Sequence, residues 1–180
     1  MKSRYLIFSI ILFLFAAVSS AQTSAAYKAT CTEKYTDDPY GGMPILTKTC
    51  FYKKFKTVAK GYPDRVGRYS YNFSIYSKQA NGKYVQIKNE NIFNQDKDEL
   101  LSIVNAKIEN DYKLFVRDPE NAPCFEGFTY SPYTFEQMGI TFEDNQILFQ
   151  VTFGLPSLCM SLDGTIVTFG LADIQKYLKN

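Results

Sequence analysis

The sequence predicts an α+β fold: an antiparallel sheet meander with two or so helices packed on it, in a single domain. Three observations carry this. In "RYSYNFSIYSK", Tyr69, Tyr71, Phe73 and Ile75 alternate with Arg68, Ser70, Asn72 and Ser74, the period of a half-buried strand. Farther on, Leu100, Val104 and Ile108 recur at i, i+4 and i+8, with Leu101 and Tyr112 near the same stripe, the pattern of an amphipathic helix. Proline, paired glycines and an Asn-Gly dipeptide separate the apolar runs as turns do.

The chain opens with a positive segment (Lys2, Arg4), an uncharged apolar run over residues 5–18, and Ser19 and Ala21 at the small-residue positions of a cleavage site. We expect a signal peptide over residues 1–21, removed before Gln22. The run is shorter than the ~20 residues that span a bilayer, and no later segment is long and apolar enough to do so. Residues 22–180 are then one domain, with a β-rich half over 22–88 and a second half over 89–180.

In the first half, "YKATCTEKYTDD" predicts a strand, "PYGGMP" a turn, and "ILTKTCFYKKFKTVA" one returning strand with Phe51, Lys53 and Phe55 on one face and Tyr52, Lys54 and Lys56 on the other. "GYPDRVG" is a turn before the alternating strand, and "QANGKY" leads through Asn81-Gly82 into "YVQI". In the second half the helix begins among Asp96, Asp98 and Glu99, where its dipole favours negative charge, and turns Lys97, Asp98, Asn105, Lys107 and Glu109 outward. "ENAPCFEG" is a loop. "GITFEDNQILFQVTFG" gives two strands about Asp144-Asn145, with Ile147, Phe149, Val151 and Phe153 on one face, and "GLPSLCMSLDG" is irregular. Gly164 allows a tight entry to the last strand, where Ile166, Val167 and Phe169 are expected to face the core. A final amphipathic helix carries Leu171, Ile174 and Leu178.

Four cysteines in a chain bound for an oxidising compartment imply two disulfides. Three connectivities are possible; pairing Cys31 with Cys50 and Cys124 with Cys159 keeps each bridge within one half. Metal binding is disfavoured, because no cysteines have C-x-x-C spacing and there is no histidine. Without histidine, serine triads that use it are excluded, and no G-x-S-x-G, P-loop or dinucleotide motif is present, so neither a cofactor nor catalysis is expected. Paired carboxylates alone could serve a polysaccharide- or peptidoglycan-acting enzyme: Glu109 with Asp111, Asp118 with Glu120, Glu143 with Asp144. Each pair also has an ordinary place on a polar helix face or in a turn.

Charge is uneven along the chain. Residues 51–88 carry nine basic side chains against Asp64, and residues 89–180 six basic against fourteen acidic. Two solvated faces account for this; the sharper reading is an acidic surface that steers a cationic partner, with Glu120, Glu126, Glu136, Glu143 and Asp144 as candidate binding residues. The basic aromatic stretch "CFYKKFKTVAKGYPDRVGRYSY" invites a polyanion, but the chain without its leader balances its charges, so no nucleic-acid partner is expected.

The run "ENIFNQDKDELLSIVNAKI", then "GITFEDNQILFQV", an irregular bridge and "GTIVTFGLADIQKYL" resembles the domain of unknown function at the C-terminus of the lysozyme-sensing anti-sigma-V factor, also found beside polysaccharide deacetylase domains. Its closing positions would be Gly164, Ile166, Phe169, Ile174, Tyr177 and Leu178, and the match spans about residues 85–180. The resemblance implies an extracytoplasmic binding or sensing module whose partner is a cationic cell-wall hydrolase such as lysozyme. The cleavable leader and Cys124 and Cys159 depart from that pattern. The expectation is an exported, soluble, secreted or periplasmic binding module; an enzyme and a structural envelope protein are the alternatives.

Overall fold

The computed structural model describes residues 27–39, 41–64 and 67–179; the expected signal peptide lies outside them. Two antiparallel sheets and one long helix form the α+β arrangement the sequence predicts. The first sheet is the meander β1 (Thr30–Thr36), β2 (Ile45–Tyr52), β3 (Phe55–Pro63), β4 (Tyr69–Lys78) and β5 (Tyr84–Ile87), in chain order across the sheet. The second contains β6 (Gly139–Glu143), β7 (Gln146–Val151) and β8 (Thr165–Gly170), also in order. Helix α1 (Lys97–Arg117) lies between them in sequence, and α2 (Leu171–Ile174) follows β8 directly.

The expected single strand over residues 45–59 is two. Tyr52 pairs with Phe55, and Lys53 between them takes a φ of 52° in the left-handed region. No glycine, proline or asparagine announces this turn. Its consequence is that Tyr52 and Phe55 both enter the core while Phe51 faces solvent, whereas an unbroken strand would have put Phe55 on the face of Phe51 and Tyr52 on the other. Burying two aromatic rings, about 1.5–3 kcal/mol each, outweighs the roughly 1–2 kcal/mol of one left-handed residue.

Register sets the inner face of the large sheet in rows. Cys31, Cys50, Thr57, Ile75 and Ile87 lie in one row, Glu33, Lys48, Ala59 and Phe73 in the next, and Tyr35, Leu46, Gly61 and Tyr71 in a third. Strand β6 crosses this face. Gly139 lies beneath the Phe73 ring on β4, Thr141 Oγ1 is 3.0 Å from Thr57 Oγ1 on β3, Glu143 pairs with Lys48 on β2, and Ala29 beside β1 donates its N–H to the Asp144 carbonyl. The sheets are thus packed across one another rather than aligned. The opposite face of the small sheet bears Ile140, Phe142, Ile147, Phe149, Val151 and Val167, all buried. Helix α1 closes that side with its Leu100, Val104 and Ile108 stripe, and its Tyr112 and Phe115 meet Phe153.

The end of the chain differs from the helix expected there. Helix α2 makes a single turn, a 3₁₀ turn covers Gln175–Tyr177, and Leu178 leaves helical geometry to bridge Phe93 in antiparallel fashion. The expected stripe of Leu171, Ile174 and Leu178 is nonetheless buried. Ile166 is not; it is 52% exposed, because on β8 it alternates with the buried Val167. Gly164 enters β8 at φ +133°, where a Cβ would stand 2.1 Å from the Val151 carbonyl. Both disulfides join the expected partners, Cys31 with Cys50 across β1 and β2, and Cys124 with Cys159 across two 3₁₀ turns.

Candidate functional site

Where β6 ends over β4, the inner face of the large sheet continues uncovered and faces the small sheet across a cleft of about 340 Å³. One wall is a ladder of rings on β4, in which Tyr69 and Tyr71 lie 6.2 Å apart and Tyr71 and Phe73 6.0 Å apart, tilted by 32° and 34°. The strand alternation that puts Ile75 in the core puts these three on the same face, and the glycines beneath them explain how the rings lie down. A Cβ on Gly61 would meet the Tyr71 ring at 2.7 Å, and one on Gly139 the Phe73 ring at 2.2 Å.

The other wall is polar. Gln150 of β7 and Thr152 just beyond it face the ladder, with Gln137 from the 3₁₀ turn Phe135–Gln137 at one end and Met160 and Asp163 at the other. Met160 belongs to the 3₁₀ segment Ser157–Leu162, which the Cys124–Cys159 disulfide ties to the turn beyond α1. Asp163 accepts the Leu155 N–H at 2.9 Å, and Arg68 is held by Asp64 at 3.0 Å while its Nη2 approaches the Met160 sulfur at 3.6 Å. Partial burial is the main cause that raises the Tyr71 phenol above its ordinary value, with Tyr69 adding to it, so the phenol is a neutral hydrogen-bonding group at physiological pH. A second, open groove of about 610 Å³ runs between α1 and β8, but its two charged side chains are engaged. Lys107 Nζ lies 4.0 Å from the Phe169 ring centre, and Asp111 accepts the Thr165 hydroxyl at 2.7 Å.

The acidic residues expected to form a partner surface lie on separate elements. Glu120 and Glu126 flank the 3₁₀ turn that holds Cys124; Glu136 accepts the Glu90 N–H at 3.1 Å; Glu143 is paired with Lys48; and Asp144 sits in the β6–β7 turn at φ 47°. The carboxylate pairs are similarly occupied: Glu109 with Lys113 at 2.7 Å, Asp111 with Thr165, and Asp118 with the Glu120 N–H at 2.9 Å. Asn105, expected to face away from the helix stripe, is half-buried instead. Its side chain donates to the Tyr133 carbonyl at 2.8 Å and accepts the Tyr133 N–H at 2.7 Å, pinning the loop that leads to Gln137.

Of the cleft residues, the alternation in β4 marked Tyr69, Tyr71 and Phe73 as a strand face but not as a site. Nothing in the sequence marked Gln137, Gln150 or Asp163, which reach the cleft only because two distant segments cross. Fold and cleft together define a two-sheet α+β domain with a tyrosine-lined cleft. No family model, curated protein or solved structure matches the chain.

Proposed function

We propose that the chain is a binding module of an exported compartment that takes a saccharide segment into the cleft between β4 and β7. The ring ladder of Tyr69, Tyr71 and Phe73 facing Gln137, Gln150 and Asp163 carries this reading. The flat faces of a sugar present C–H groups that pack on aromatic rings, and its hydroxyls need both donors and acceptors, which amides, a carboxylate and tyrosine hydroxyls supply. A cleft of about 340 Å³ is of the size that small ligands fill. The two disulfides fit an oxidising compartment, and no helix among the described residues is long and apolar enough to cross a membrane.

Titration with cell-wall and other oligosaccharides tests it. The chain has no tryptophan, so its emission comes from its 14 tyrosines, and the part of a ligand-induced change that Tyr71→Ala removes belongs to the ladder. Saturable binding that weakens more than about tenfold in Tyr71→Ala, the scale of losing one aromatic anchor, and survives Tyr76→Ala on the opposite sheet face, supports the proposal. The absence of saturable binding to any saccharide tested would sink it. A lysozyme, the partner implied by the resemblance, enters the same titration as a competing ligand.

A further inference from the structure

We propose that one corner of the large sheet's outer face docks on an anionic lipid bilayer. The face opposite the core bears, by register, Lys34, Lys56, Lys60 and Lys78 among threonines, serines and aromatic rings, and no carboxylate among its strand positions. Charge is also divided along the strands. By sequence, the β1–β2 and β3–β4 turns at one end mix Asp37, Asp38 and Asp64 with Arg65 and Arg68, whereas the β2–β3 and β4–β5 turns at the other carry Lys53, Lys54 and Lys83 with no acidic residue.

The lysine-bearing turns are side by side, since Lys78 donates its N–H to the Lys54 carbonyl and Gln79 donates to the Lys83 carbonyl. The same corner presents apolar surface. Phe51 is 37% exposed and meets Tyr84 edge-on at 5.8 Å. Lys56 Nζ lies 4.0 Å from the Tyr76 ring centre and 5.1 Å from that of Tyr84. Rings already covered by an amine are poor platforms for stacked bases, which sets this corner apart from a single-strand binder. What it offers outward is amines and ring edges on a flat sheet end. Amines attract anionic head groups, and aromatic side chains settle at the level of those head groups. The second half of the chain, with its acidic excess, is then turned away from the membrane.

Co-sedimentation of the mature protein with vesicles of phosphatidylcholine alone, and with vesicles of phosphatidylcholine and phosphatidylglycerol in equal parts, tests the assignment. The expected result is binding to the anionic vesicles only, weakened by added salt. Binding should fall by more than about tenfold in the triple variant Lys56→Gln, Lys78→Gln, Lys83→Gln, and stay unchanged in Lys113→Gln on α1. The double variant Lys53→Gln, Lys83→Gln changes turn residues alone and gives the same readout if the triple variant misfolds. No binding to anionic vesicles, equal binding to neutral ones, or folded lysine variants that bind as wild type overturns the proposal. So does binding to a single-stranded oligonucleotide without binding to vesicles, which would make the corner a nucleic-acid surface.

Discussion

The two sheets are built by the same antiparallel pairing but are covered differently. The small sheet is packed on one side throughout and along β6 on both, where the consecutive residues Ile140, Thr141 and Phe142 are all buried. The large sheet buries only the part of one face that β6 crosses; beyond that crossing its inner face holds half-buried tyrosines, and its outer face is open. Packing therefore dictates residues in the small sheet, where a side chain must fill a fixed space. In the large sheet, tyrosines and lysines occupy positions that the fold itself leaves free. Both proposed surfaces lie on the large sheet for that reason.

The comparison breaks most severely if the small sheet loses its last cover. Deleting Leu171 to the end removes Leu171, Ile174, Tyr177 and Leu178, all buried, together with the Tyr52 hydroxyl's partner Gln175 at 2.7 Å. We expect a chain that does not fold, seen as loss of dispersed amide resonances; a folded truncation would show that the small sheet does not need this cover. Next in size, Phe149→Ala empties the space between Phe93, Phe135 and Phe169 and should lower unfolding free energy by about 3–5 kcal/mol in urea titrations. Tyr71→Ala, on the uncovered part of the large sheet, should cost only about 1 kcal/mol. Equal losses would erase the distinction between covered and uncovered faces.

A smaller effect belongs to the seam itself. Thr57 and Thr141 are the buried polar residues among those described, and the Thr57 hydroxyl also accepts the Phe142 N–H at 3.4 Å. Since β6 is the free edge of its sheet, this hydroxyl answers a backbone donor that no strand pairs. Thr57→Val should cost about 1–3 kcal/mol, the loss of a partner for a buried group. Thr57→Ser, which keeps the hydroxyl, should recover most of it.

Much of the scaffold was legible because it obeys local periods. The stripe of Leu100, Val104 and Ile108, the alternation through Tyr69 to Ile75, and Ile147 with Phe149 and Val151 all read correctly from spacing. The Lys53-Lys54 turn did not, because its conformation is imposed by two rings entering the core and not by turn-forming residues. Leu178 left the final helix because the bridge to Phe93 pairs its neighbours' backbone, the Tyr177 carbonyl with the Asn94 N–H and the Lys179 N–H with the Ile92 carbonyl. The cleft was illegible for a different reason. Tyr71 and Gln150 are brought together by the crossing of two sheets, and no local pattern encodes a crossing angle.

The mildest test uses Lys48, which stands where Glu143 at the end of β6 reaches the large sheet. Partial burial pushes this lysine's pKa down, but the Glu143 and Glu33 carboxylates outweigh that and hold it above its ordinary 10.5. A folded-state value raised above the unfolded one means that the native protein binds the proton more tightly. The contribution is therefore complete below pH 10.5 and is lost as pH rises through the raised value. Tyr71, pushed up from 10.0 chiefly by burial, acts with the same sign in the same alkaline range. Because Glu143 is 44% exposed, the ion pair is worth less than about 1 kcal/mol. Urea unfolding of wild type and Lys48→Gln should differ by that amount at neutral pH and converge in strongly alkaline buffer. A difference that stays constant with pH would mean that Lys48 serves the seam through its aliphatic stem and not its charge.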